Sequence, residues 1–221
     1  MSTEGLSLMN IYYFIANFMN EGGVFMYIIA IIWGIGIAIC IDRFFKLARK
    51  YDIDGPSFMN ELQRYILSND IQGAIRVCSG SQAVLPKVLK SGLKRSTQSP
   101  EQIQNAIDAT ALEVIPKVEL RLNYLQLITN ISTLFGLLGT IQGLIVAFAA
   151  LDSVDPTQKS QFLAKGISMA MNTTFLGLIA AISIMVIHSY LSSKSEKIIS
   201  EIDEYSVKLM DLLGTKKISD Q

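Results

Sequence analysis

Few of the residues that do chemistry are present: the 221-residue chain has one histidine and two cysteines. His188 stands alone, and Cys40 and Cys78 lie 38 positions apart with no CxxC, so neither a zinc site nor a disulfide is expected. No metal cluster, phosphate loop or paired nucleophile and base is found, and the chain is not expected to be an enzyme or to hold a metal or cofactor. Net charge is lacking as well. Nineteen basic and nineteen acidic residues cancel, which removes the global field that would draw the chain to nucleic acid or to an acidic surface. Met1 to Asn20 has no Lys or Arg, so it lacks the positive region of a cleavable signal peptide and is expected to remain in the mature protein. Strand alternation and internal repeats are likewise missing.

The absence with most consequence is local. Half the residues are hydrophobic, and three long windows contain no Asp, Glu, Lys or Arg: Gly22 to Ile41, Leu122 to Leu151 and Gly166 to Ser193. A membrane-crossing helix needs about 20 largely apolar residues to span roughly 30 Å of hydrocarbon. One charge at the middle of such a span costs about 2.5 to 3.5 kcal/mol, so three charge-free windows imply three crossings. The expected fold is an all-α membrane protein with three transmembrane helices and long helical extensions in water. Its segments are 1–21 (amphipathic), 22–41 (first span), 42–121 (helical), 122–151 (second span), 152–165 (loop), 166–193 (third span) and 194–221 (helical tail).

Orientation follows from basic residues. Arg43, Lys46, Arg49 and Lys50 crowd the end of the first span, and none precedes it, which places 42–121 and the tail in the cytoplasm and the N-terminus and 152–165 outside. Arg43 and Arg121 are expected as cations at the membrane interface. Leu8, Met9, Tyr12, Tyr13, Ile15, Phe18 and Met19 form a stripe suited to lying in that interface. Between the first two spans, turn chemistry at Asp54-Gly55-Pro56, Ser68-Asn69-Asp70, Ser79-Gly80-Ser81 and Ser96 to Pro100 marks the breaks between short helices. From Glu101 the helical pattern runs on into and through the second span, with Pro116 expected to kink it. After the third span, Ile198, Ile202, Tyr205, Leu209 and Leu212 keep helical spacing.

The first span is apolar all round except for Gly34 and Gly36, as expected of a lipid-facing helix. The other two carry uncharged polar groups, among them Thr133 and Thr140 on the second and Asn172, Thr173 and Thr174 on the third. Such groups in hydrocarbon need partners from neighbouring helices, water or a permeating ion. Gly166, Ala170, Thr174, Gly177 and Ala181 form one small-residue face, and Gly136, Thr140, Gly143 and Ala147 another, with Gly139 and Gly143 a GxxxG. Close helix packing explains the glycines and alanines by themselves. Together the two faces are expected to exceed what one copy can bury in itself.

The run Phe135-Gly136-Leu137-Leu138-Gly139-Thr140-Ile141-Gln142-Gly143-Leu144-Ile145, then Ala147-Phe148, Gly166-Ile167-Ser168 to Thr174 and Gly177-Leu178-Ile179-Ala180-Ala181-Ile182, resembles the MotA/TolQ/ExbB ion-channel family, most closely its three-span ExbB/TolQ branch. The resemblance covers about Leu120 to Leu191, and more weakly Ala74 to Leu93. It implies a pentameric ring in a bacterial inner membrane whose second and third spans line a pore. It also implies a single-span ExbD/TolR-like partner that brings a membrane aspartate, and a TonB-like or TolA-like protein that receives the work. Thr140 and Thr174 match the family's pore-lining threonines, with Thr173 and Thr133 beside them. This chain departs from the pattern at Thr133 and Ser183, where many members have proline, and at Met169, where many have an acid. The chemistry of the residues points the same way: with no carboxylate in any span, the titrating group has to be borrowed, and the threonines supply hydroxyls to hold it. The translocated ion is expected to be H+, with Na+ left open by the added hydroxyls. Two rivals remain, a flagellar or gliding stator of the same family and a membrane scaffold that conducts nothing.

Overall fold

A computed structural model describes residues 13, 15–151 and 155–219. Most of the expected interfacial stripe, Leu8, Met9 and Tyr12 included, lies outside them, as do 152–154. Among the described residues, helical positions 13 and 15–21 precede seven further α-helices: α1 (Val24–Phe45), α2 (Gly55–Leu67), α3 (Ile71–Ser79), α4 (Val84–Leu93), α5 (Pro100–Glu119), α6 (Leu122–Leu151) and α7 (Lys159–Ser219). A π-helical turn, Lys46–Tyr51, continues α1, and no strand occurs among the described residues. Among the described residues, three helical stretches are long and apolar enough to cross a membrane: Val24–Ala48, Pro100–Ala149 and Lys159–Thr215.

The chain divides into two compact units. One holds residues up to Cys40 together with Asn123–His188; the other holds Ile41–Leu122 with Ser189–Gln221. In the first, Met26 and Ile29 of α1 pack on Leu176 and Ala180 of α7, with Trp33 and Phe135 against them. The Trp33 Nε1 donates to Ser183 Oγ at 2.9 Å, which gives that serine a structural use. In a medium without water that bond satisfies two polar groups at once. Gly36 is buried against Ile184 and Ile128, whereas Gly34 has nothing near it, so α1 has one packed and one bare side.

In the second unit the turn signals act as read. Asp70 caps α3 by accepting from the Gly73 N–H at 2.7 Å, and Ser99 caps α5 by accepting from Gln102 N–H at 3.4 Å. Asp54 precedes α2, but its side chain makes no cap bond to the helix backbone; its carboxylate instead accepts a hydrogen bond from the Ser57 hydroxyl at 2.5 Å. The apolar faces of α2–α5 close on Ile198, Ile202, Tyr205, Leu209 and Leu213 of α7. The stripe therefore ends on Leu213, with Leu212 only half-buried, because the step of four from Leu209 keeps the same face.

The unbroken helix expected from Glu101 through the second span is interrupted. Leu120 turns extended (ψ 131°) and Arg121 takes a left-handed φ of 65°, separating α5 from α6. Pro116 sits inside α5 without ending it.

Candidate functional site

The small-residue faces of α6 and α7 meet each other. A Cβ built on Gly143 would lie 2.7 Å from Ala170 N and from Gly166 O, and one on Gly177 would lie 2.8 Å from Ser132 O. One on Gly166 would meet the Ala147 Cα at 2.8 Å. Ala147, Ala170 and Ala181 are buried. Gly139 lies directly against the Thr173 side chain. The two faces thus bury one another within a single chain, and the expectation that they exceed what one copy can cover is corrected by this seam. Backbones this close gain dispersion contacts that bulkier residues would prevent.

The four threonines fall in three settings. Thr174, half-buried, shares its hydroxyl hydrogen between Gly136 O across the seam (3.2 Å) and Ala170 O on its own helix (3.1 Å). Thr140, also half-buried, donates to Leu137 O at 2.6 Å, and Thr133 to Thr129 O at 3.2 Å. Thr173 is wholly buried, and its hydroxyl lies 2.6 Å from Met169 O and 3.1 Å from Gly22 O, at the turn before α1. Each hydroxyl has one hydrogen and two lone pairs. With the hydrogen on a carbonyl, the hydrogen-bonding capacity left on the Thr140 and Thr174 oxygens is that of acceptors. Such oxygens take a hydrogen bond from water or from a protonated carboxyl group, and they can ligate Na+.

Other polar residues turn out to be structural. Asn172 Nδ2 donates to Glu21 Oε2 at 3.4 Å, an approach across 151 positions that spacing on the third span could not show. The pair Gly22-Gly23 was the available signal, since Gly23 has a φ of 73° and turns the chain onto α7. In the second unit Arg43, expected as an interface cation, is 1% exposed and inside the fold, its Nη1 reaching Lys117 O at 3.4 Å. Asp42 gathers three cations: Lys46 Nζ at 2.8 Å, and Arg43 Nε and Arg121 Nη1 at 3.6 Å each. Arg121 is half-exposed. Burial pushes the Cys78 thiol up to about 11, so at neutral pH it is a packed apolar group and not a nucleophile. Among the described residues no cluster of His, Cys, Asp or Glu could hold a metal.

Across residues 80–204 the chain matches the model of the MotA/TolQ/ExbB proton channel family. The chain belongs to that family. It is 24% identical over 197 residues to a protein of Methanothermobacter thermautotrophicus named as an ExbB homolog in biopolymer transport, covering 89% of this chain and 69% of the relative. A second relative, an ExbB-like protein of Synechocystis, is 22% identical over 153 residues, 69% of this chain and 72% of the other. Among solved structures, C. jejuni MotAB superposes with a TM-score of 0.60 at 16% identity, covering 81% of this chain and 68% of that one, which shows the fold.

Proposed function

We propose that this MotA/TolQ/ExbB-family subunit forms the ring of a membrane motor in which a cation, H+ or else Na+, passes along the threonine face of α6 and α7 and drives movement against a single-span partner. The observation that carries this reading is that the Thr140 and Thr174 hydroxyls spend their hydrogens on carbonyls and keep acceptor capacity, in spans that hold no carboxylate of their own. A chain so made needs a titrating group from outside, and a partner helix bearing an aspartate supplies it. When that aspartate is protonated it becomes a donor and suits the Thr140 and Thr174 oxygens. When ionised it needs donors, which those hydroxyls provide only by leaving their carbonyls. The difference between the two states gives the ion a mechanical consequence.

The resemblance supports five copies in the ring, the bacterial inner membrane as the location, the N-terminus outside and the tail in the cytoplasm, and a TonB-like or TolA-like recipient of the work. In the same reading the chain is a transport component without enzyme activity, and the ion is its only small ligand.

Thr140→Val and Thr174→Val test the proposal, because valine keeps the branching and removes the hydroxyl. A hydroxyl's net contribution is about 0.5 to 1.5 kcal/mol, too little to dissolve a ring held by many helix contacts. Copurification with the partner should therefore persist, while gradient-driven ion flux in vesicles falls by about tenfold or more, a change in barrier of roughly 1.4 kcal/mol. Full flux in both variants would remove the threonines from the pathway. Thr173→Val, expected from spacing alone to be the milder control, instead removes a buried bond to Gly22 O and should loosen the turn before α1.

A further inference from the structure

Glu21 and Asp155 are the carboxylates among the described residues of the membrane unit, and they differ in surroundings. Glu21 is tied to the third span at three points. Thr173 donates to the carbonyl of the next residue, Gly22 (3.1 Å); Gly23, in its left-handed turn, packs on the Met169 side chain; and Asn172 donates to the Glu21 carboxylate (3.4 Å). The carboxylate is exposed, and its partner Asn172 is neutral, so no salt bridge among the described residues cancels its charge. Next along this end, Tyr27 is occupied with Asn20, its hydroxyl donating at 2.8 Å.

We propose that Glu21 is a cation-collecting carboxylate for the ion pathway, held at the Gly22–Gly23 end of the membrane unit by the Asn172 amide and the Thr173 hydroxyl. The inference rests on the threonine-face reading above. Asn172 is two residues from Thr174, about 3 Å along the helix axis, but on the far side of the helix. Glu21 therefore acts through its field and does not touch the ion on the threonine face. A fixed negative charge beside low-dielectric walls raises the local cation concentration, and the gain falls with ionic strength over a Debye length of about 10 Å at 0.1 M.

The test uses the full chain reconstituted with its single-span partner in vesicles, reading cation flux against cation concentration. Glu21→Gln keeps the size and the hydrogen-bonding shape. It should raise the half-saturating cation concentration about three- to tenfold in low salt and leave the maximal flux unchanged, with the difference closing when choline chloride brings ionic strength to about 0.5 M. Glu21→Asp should behave as the parent. Met169→Glu in the Glu21→Gln background should restore the low half-saturating value, because Met169 packs on the same turn. A Glu21→Gln curve that superimposes on the parent's, or one that loses maximal flux at unchanged half-saturation and at every salt, overturns the assignment. If the parent complex itself carries no flux, the ion-pathway reading fails first and Glu21 falls with it. That outcome is seen without any variant.

Discussion

A glycine in a helix seam matters according to what its missing Cβ would strike. Gly136 and Gly143 have the same spacing logic in the sequence, yet a Cβ on Gly136 would meet its nearest neighbours, the Gly177 and Thr174 Cα atoms, at an ordinary 3.5 Å. On Gly143 it would press into backbone atoms at 2.7 Å, which no rotamer change relieves. Gly143→Ala and Gly177→Ala should each destabilise the α6–α7 pair by about 1 to 3 kcal/mol, the usual cost of overpacking. Gly136→Ala and Gly34→Ala should stay near the parent. Thermal unfolding of the detergent-solubilised protein separates the two groups, and equal midpoints for all four variants would show that the seam is looser than described. The sequence marks which residues share a face. It does not say which neighbour covers that face, so neither the Thr173 bond to Gly22 O nor the approach of Asn172 to Glu21 can be read from spacing.

Helix ends followed local chemistry where the signal was local. Asp70 is the clearest case: its side chain holds the Gly73 N–H, and the residue before it, Asn69, takes a left-handed φ of 61°. Asp70→Ala should cost about 0.5 to 2 kcal/mol, and Asp70→Asn much less because asparagine caps nearly as well. Chemical denaturation with a helical readout measures both; an alanine variant as stable as the parent would mean α3 is held by packing alone. The break between α5 and α6 had no such local mark. The residue in the left-handed conformation is Arg121, where glycine is the common choice, and what accompanies it is a distant ion pair with Asp42. Pro116, the visible helix breaker, lies inside α5 instead. The long apolar runs, by contrast, were fully legible, because bilayer thickness imposes a length and a charge rule that hold irrespective of tertiary contacts.

At the scale of the molecule, large apolar side chains remain exposed along α6 and α7, among them Leu127, Leu134, Ile141, Phe148, Phe175 and Ile182. Soluble monomers rarely leave such surface open; lipid, further copies and the single-span partner are the covers the proposed function supplies. Since the small-residue seam is satisfied inside one chain, the case for a ring rests on these outer faces and on the family, not on the glycines. The second unit has its own hydrophobic core, built from α2–α5 and the Ile198 to Leu213 stretch of α7. Against this background the central claim is that the chain conducts only with a borrowed carboxylate. The measurement that bears on it most directly is cation uptake by vesicles under an imposed gradient, comparing three preparations: the chain alone, the chain with its single-span partner, and the chain with a partner whose membrane aspartate is changed to asparagine. The account predicts uptake in the second preparation and none in the first and third. A complex with the intact partner that passes no cation would make the chain a scaffold and contradict it.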